Sequence, residues 1–375
     1  MALEIIKPLG DESALAGEIS SSRGQQDILP NRIKRYETAK LRADLNIQYL
    51  RSPDNFLIDE ERDLRKRLES CSNWFVFRDY YTLGEIKLVR ASFCMKHLMC
   101  PLCAIRRAAK SLSAYLERFE VIRSENPRLV PYLLTLTVSN GEDLNERFNH
   151  LVDSWKVYQN RRRQYFKNGR GFNELCKAEG AVFTYEFTKS SEGWHPHLHA
   201  IVMIDPSDPI DFDFNAPGYK KSNSKLSQEW LSITGDSSIV DCRPINMKDP
   251  VKSFCEVFKY ALKFSDLTPE DNYHAHTVLK GKRLQGSFGL FWGVKVPTKL
   301  TDEFLPDELP YIELFYRYTK SGYTIKSSFV HDGGVIEPQK TKDGCSLDSK
   351  TEQAFEKLNH YRRTSWWLAE KYADT

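Results

Sequence analysis

The chain has 375 residues, 41% hydrophobic and 28% charged, with 54 Lys and Arg against 51 Asp and Glu for a net charge of +3. This composition excludes a disordered chain and allows two or three domains around a sizeable core, while the balanced charge excludes a uniformly polycationic binder, so any basic surface must come from local clustering. No apolar run approaches the ~18 residues of a membrane span, and the N-terminus lacks the basic-then-apolar layout of a secretory leader, so a cytoplasmic protein with no membrane partner is expected.

Residues 1–35 are polar, broken by Gly and Pro, and read as a mobile arm. Residues 36–70 carry apolar positions at helical spacing among many charges, as in DLRKRLESC. The segment DYYTLGEIKLVRASF reads as a hairpin, and AIRRAAKSLSAYLERFEVIRSE as a helix closed by Pro127 and Pro131. PYLLTLTVS then reads as a strand, and residues 142–168 as a long helix ending near Gly169 and Gly171. AVFTYEFT and HLHAIVMI are two strands joined by the polar loop KSSEGWHP. After a loop over 205–222 come a helix at KLSQEWLSIT, a strand at SIVDCRPI and a helix from Pro250 to Asp266. The tail from 267 mixes loops, aromatic residues and a final helix. The order strand, helix, hairpin, helix, strand, helix predicts an α+β fold with a mostly antiparallel sheet flanked by helices. The expected domains are a helical module over 36–125, the α+β domain over 126–290 and a C-terminal region over 291–375.

Eight cysteines in a cytosolic chain point to thiols or metal ligands rather than disulfides. Cys176, Cys242, Cys255 and Cys345 are scattered and read as small buried apolar side chains. Cys100 and Cys103 form a Cys-x-x-Cys knuckle around Pro101, opening a helix. With Cys94 as third ligand, they make a candidate structural Zn²⁺ site in the helical module. The fourth ligand is Cys71 or His97. Cys71 is preferred, because tetrathiolate sites commonly take two ligands from each of two segments.

Three of the nine histidines fall at His195, His197 and His199. Side chains alternate faces along a strand, so His197 and His199 point the same way and can share a divalent ion. His195 keeps the parity, but Pro196 should interrupt pairing beside it and leave it at the strand mouth. Glu186 on the preceding strand falls roughly opposite His197 to His199. A carboxylate and two imidazoles with open positions suit Mn²⁺ or Mg²⁺ acting on a phosphate. The plainer alternatives are a polar strand face and a solvent-facing glutamate.

Downstream, the helical spacing places Glu256, Tyr260 and Lys263 on one stripe, with Phe254, Val257, Phe258, Ala261 and Leu262 supplying the apolar surface. Taken alone, Tyr260 is a core-edge tyrosine and Glu256 a surface glutamate paired with Lys259 or Lys263.

His195-Pro-His-Leu-His199 followed by Glu256-x-x-Lys-Tyr260-x-x-Lys263 resembles the HUH endonuclease superfamily. Within it the match is to single-tyrosine rolling-circle replication initiators of small plasmids. Leu134-Thr-Leu-Thr137 is similar to that family's first motif, a strand beside the active site. The resemblance covers about residues 70–290. It implies a nicking-closing enzyme with His197, His199 and Glu186 as ligands of a catalytic metal and Tyr260 as the nucleophile. It further implies Lys263 as a charge stabiliser and Glu256 as the base that activates water for the terminating cleavage. Origin DNA, a host helicase and a DNA polymerase are the implied partners. Plasmid initiators often carry a cysteine group before the first motif, which supports the zinc reading. Region 291–375 is left with origin binding or a structural role.

Arg106, Arg107 and Lys110 follow the cysteine knuckle. Lys156 to Arg170 holds six basic residues, among them Arg161, Arg162, Arg163, Lys167 and Arg170, and no acidic one. Interleaved with Tyr158, Tyr165 and Phe166, they suit phosphate contact and base stacking, with a solvated helix face as the competing view. Gly281-Lys-Arg-Leu-Gln-Gly286 is also similar to family sequence, with no role assigned. The rival readings are a transposase or relaxase of the same superfamily, and a zinc-containing regulator that binds DNA without cutting it.

Overall fold

A computed structural model of the chain describes residues 29–52, 59–221, 223–259, 266–306, 309–320 and 322–331. The chain divides into two compact units. One carries the described residues through Arg106 and those from Thr298 onward, and the other is Arg107–Pro297.

The first unit opens with helices α1 (Leu29–Arg51) and α2 (Asp59–Ser70) and strands β1 (Trp74–Tyr80) and β2 (Glu85–Ala91). Helix α3 (Pro101–Glu125) carries the chain into the second unit. There follow β3 (Val130–Thr137), α4 (Leu144–Asn168), β4 (Ala178–Ser190) and β5 (Gly193–Ile204). Next come α5 (Lys225–Thr234), β6 (Val240–Pro244), α6 (Pro250–Phe258), α7 (Pro269–Leu279) and β7 (Gln285–Gly289). Strands β8 (Tyr311–Thr319) and β9 (Gly322–His331) belong to the first unit. No helix among the described residues is long and apolar enough to cross a membrane.

The first unit is built on an antiparallel sheet in the order β2-β1-β8-β9. Tyr36 of α1 packs its ring 5.0 Å from Phe75, and Tyr323 of β9 lies 4.8 Å from the same ring. Asp302 is buried between the guanidinium groups of Arg32 (2.9 Å) and Arg106 (2.5 Å), and it also accepts the Leu88 N–H at 2.7 Å. Burial alone would raise its pKa, but the two arginines hold it well below the usual carboxylate range. The described part of the tail thus contributes two strands to this sheet. The final helix expected near the C-terminus lies outside the described residues, as does the expected arm up to residue 28, whereas residues 29–35 of that arm are the first turns of α1, with Leu29, Arg32, Ile33 and Arg35 buried.

The second unit is a five-stranded antiparallel sheet in the order β6-β3-β5-β4-β7. Helix α4 is set by its ends. Asp143 caps it by accepting the N–H groups of Asn145 and Glu146 at 2.7 and 3.0 Å, and Gly169 closes it at φ 73°. Its buried stripe of Phe148 and Trp155 meets Phe187 and Phe183 of β4, at 5.7 and 5.2 Å between ring centroids. That contact occupies one face of the sheet. Alternation sends Thr184, Glu186 and Thr188 to the other face.

The β4–β5 ladder runs from Ala178 opposite Ile204 to Ser190 opposite Gly193. The loop expected over KSSEGWHP is therefore mostly strand, and the turn is only Ser191 and Glu192. Pro196 does not break the pairing, because the β3 ladder stops at His197 and Pro196 has a strand neighbour only in β4. Gly193, at φ 95°, packs against the Gly141 carbonyl, where a Cβ would come within 2.6 Å.

Candidate active site

The hairpin register aligns the site. Glu186 pairs directly with His197, Thr184 with His199 and Thr188 with His195, all on the face away from α4. On the other side of β5, Thr135 of β3 pairs with His199 and Thr137 with His197. The Leu134–Thr137 motif therefore runs beside the histidine strand, as its likeness to a first motif implied.

Ligand atoms of Glu186, His197 and His199 all lie within 4.8 Å of one another. His199 Nε2 is 2.9 Å from Glu186 Oε2, and its Nδ1 is 3.1 Å from the Thr135 hydroxyl. A hydroxyl serves either tautomer, so it can accept Nδ1–H when a cation takes the place of the Nε2 hydrogen bond to Glu186. His197 Nδ1 is buried with no hydrogen-bond partner among the described residues. A buried polar nitrogen left unpaired costs about 1–3 kcal/mol, which a bound cation would offset. Burial, with His195 beside it, pushes the His197 pKa down to about 4, so the ring is neutral and its lone pairs are available. These three residues fit a divalent ion. His195 meets the His197 ring edge to face at 4.1 Å but is not part of the three-ligand group.

Helix α6 covers this face. Asp249 caps it, Pro250 opens it, and the Thr184 hydroxyl donates to the Val257 carbonyl. Phe254 packs on Phe119 and Phe258 on Tyr115, both of α3, at 5.0 and 5.2 Å. The helix expected to reach Asp266 ends at Phe258. Lys259 leaves helical geometry at φ −57° and ψ 164°, so the described helix does not carry a stripe from Glu256 to residue 260. Local propensity favours continuation, since Tyr-Ala-Leu-Lys-Phe follows. The Lys259 ammonium lies 3.2 Å from Glu186 and also pairs with Glu256. Burial opposes its charge, yet the two carboxylates hold its pKa above the ordinary lysine value. Burial likewise favours the neutral form of Glu186, but the hydrogen bond from His199 and the charge of Lys259 keep its pKa low. Tyr260 and Lys263 lie outside the described residues.

Lys259 and Thr135 are the residues that the motifs alone did not assign to the site. The signal for Thr135 was present in its alternation with Leu134 and Leu136. Lys259 was marked as a motif position beside Tyr260 and as a partner for Glu256, a pairing the structure shows; its contact with Glu186 carried no signal.

In the first unit, Cys71 follows α2, Cys94 follows β2, and Cys100 and Cys103 flank the first residues of α3. The four buried sulfurs group together, so Cys71 and not His97 completes the set. Sγ separations are 3.6 Å for Cys71–Cys100, 3.7 Å for Cys71–Cys103 and 3.5 Å for Cys94–Cys103. These are far beyond a disulfide bond. A tetrahedron of thiolates at about 2.3 Å from Zn²⁺ has edges of about 3.8 Å. Hydrogen bonds from Cys100, Cys103 and Cys94 drive the Cys71 pKa far down, so the cluster favours at least one thiolate. It could hold a metal such as zinc.

The expected DNA contacts divide. Arg106 is corrected: at 2% exposure its guanidinium is spent on Asp302 and the Leu300 carbonyl at 2.7 Å, so it cannot reach a phosphate. Tyr158 is also corrected, because it is buried and donates its hydroxyl to Glu229 at 2.7 Å. Arg162 is half-buried and bonds the Leu175 and Ala178 carbonyls. Arg161 is half-buried near Ser232, and Lys110 is half-buried on α3. Arg107, Arg163, Lys167 and Arg170 are exposed.

A family model described as a replication protein, Rep_1, matches residues 85–309, more than half of the chain. A curated relative named Protein rep, from Streptococcus pneumoniae serotype 2, is 27% identical over 255 residues, covering 64% of this chain and 73% of that protein. No solved structure matches the chain.

Proposed function

The chain belongs to the Rep_1 replication protein family and is a rolling-circle plasmid replication initiator, and from that premise we propose that it nicks one strand of origin DNA through a phosphotyrosine intermediate. The observation that carries this reading is convergence. His197 and His199 from the second motif and Lys259 from the third converge on one carboxylate, Glu186, and Thr135 from the first motif holds the far side of the His199 ring. Lys259 immediately precedes Tyr260.

Glu186, His197 and His199 would hold Mn²⁺ or Mg²⁺, which when bound supplies positive charge to a phosphate oxygen. Thr135 orients His199. Lys259 pairs with both Glu186 and Glu256 and offsets part of their negative charge. Tyr260 supplies the attacking oxygen. The phosphorus–tyrosine bond forms as the bond to the 3′ oxygen breaks, the phenol loses its proton, and the 3′ oxygen gains one. The 3′-hydroxyl primes a host polymerase behind a host helicase, and the retained phosphotyrosine later permits strand joining without ATP. The cysteine set would hold a structural Zn²⁺, and Arg107, Lys110, Arg163, Lys167 and Arg170 would contact origin DNA.

The test is incubation of the full chain with supercoiled DNA carrying its origin. Mn²⁺ or Mg²⁺ should support nicking and chelation should stop it. His199→Ala should slow nicking by about a hundred-fold or more while origin binding changes little, because a direct ligand is lost. Wild-type rates in this variant, or full activity under chelation, would remove the metal from the reading.

Glu256 would serve the second cleavage, as base for a water. Its side chain is 26% exposed and paired with Lys259, which leaves the carboxylate reachable by solvent. Glu256→Gln should nick normally and fail to terminate. A plasmid with two tandem origins, scored for the circle spanning them, reads this directly. Normal termination in the Gln variant would leave Glu256 as no more than a partner of Lys259.

A further inference from the structure

The sheet face opposite Glu186 carries a groove of about 560 Å³. Lys156, Arg162 and Arg163 of α4 line it from one side, and Arg283, Phe288 and Trp292 from the other. Phe183 and Tyr185 of β4, which alternate with Glu186, also face it. No Asp or Glu lines it among the described residues. Lys156 is paired with Asp153 at 2.8 Å, but both side chains are more than 60% exposed and such pairs contribute little.

Three features make this groove a built site. Trp292 is 71% exposed, more than any other large hydrophobic side chain among the described residues. A bare indole on a folded surface is unusual unless it meets a partner. Trp155, also lining the groove, is 1% exposed, and its indole N–H has no acceptor among the described residues. Buried indole donors normally have one. Finally, the Arg162 guanidinium is fixed by the Leu175 and Ala178 carbonyls and sandwiched between the rings of Phe166 (4.8 Å) and Phe288 (4.5 Å). The wall is therefore a rigid stack of planar groups.

Planar stacking surfaces and cations match an unpaired nucleotide. The volume suits about one to two of them. Paired bases in a duplex offer no free face to Trp292. We propose that this groove binds the unpaired bases and phosphates of single-stranded DNA flanking the strand that is cut. Trp292 stacks on a base, and Arg163 and Arg283 take phosphates. The edge strand β7 is only five residues long. A strand held in the groove can therefore pass around it to the Glu186 face. The proposal rests on the reading of the chain as a DNA-nicking initiator.

The test uses the full chain and a fluorescein-labelled oligo(dT) of about 15 nucleotides, within the usual single-strand site sizes, with no added divalent ion. A duplex of equal length is the comparison. Trp292→Ala should weaken single-strand binding on the order of ten-fold, Trp292→Phe should restore most of it, and duplex binding should not change. Arg163→Ala and Arg283→Ala should each lower the salt slope of binding by about 0.7. Unchanged single-strand affinity in Trp292→Ala overturns the proposal, as does equal loss on duplex and single strand. If Trp292→Ala fails to fold, Trp292→Leu, which keeps apolar bulk and removes the aromatic face, is read by the same criteria. Trp292-dependent binding by a wild-type protein that does not nick its origin would uphold the groove and remove the nicking reading instead.

Discussion

Replacing Tyr260 with Phe is expected to abolish nicking and covalent attachment to DNA while origin binding stays within a few-fold of wild type. The change deletes a single oxygen and keeps the aromatic ring. Without that oxygen no phosphoester can be transferred to the protein, and the loss should reach at least about four orders of magnitude, the scale seen when a covalent nucleophile is removed. The residue before Tyr260 anchors this expectation. Lys259 is buried, and its ammonium lies 3.2 Å from Glu186, which shares a ligand group with His197 and His199. A tyrosine one residue further along the chain is within a single peptide unit of that anchor. Denaturing gels of labelled origin DNA with wild-type and variant protein measure both products. A protein–DNA adduct that persists in Tyr260→Phe would move the nucleophile elsewhere. Lys263, also outside the described residues, is expected to act on rate and not on adduct formation.

The second large effect concerns stability. Cys100→Ser should release a tightly bound zinc ion and destabilise the first unit by several kcal/mol, on the order of 5 of the 5–15 available to an ordinary domain. The four cysteines tie together three stretches of chain: the end of α2, the exit from β2 and the start of α3. Cys71 Sγ also accepts the Cys94 N–H at 3.3 Å. A serine oxygen is a poor zinc ligand, and the remaining buried thiols would face one another with no cation between them. Elemental analysis should find about one zinc per wild-type chain and none in the variant, with an earlier melting transition. Cys176→Ser, outside the cluster, should change neither the zinc content nor the first transition by much. Wild-type protein without zinc, or a variant that keeps both zinc and melting temperature, would make the cluster a set of packed thiols.

Much of the site was readable from local pattern. Alternation put His197 and His199 on one strand face, the helical stripe and Gly169 fixed α4, and the Cys-x-x-Cys spacing marked the knuckle. Each of these depends on residues a few positions apart, whose geometry the backbone periods dictate. The match of three motifs in order also needed no coordinates.

What the sequence left open depended on partners far along the chain. The choice of Cys71 over His97 turned on where α2 ends relative to β2. The burial of Arg106 was decided by Asp302, almost two hundred residues away. Strands β8 and β9 carry ordinary strand composition, but only their register with β1 shows that the tail completes the first sheet. Local propensity predicted a helix continuing past Phe258, whereas Lys259 leaves helical geometry and sets its ammonium between two carboxylates. Periodicity encodes which face a side chain takes. Desolvation and charge pairing decide what it meets there, and both exist only once distant segments have packed.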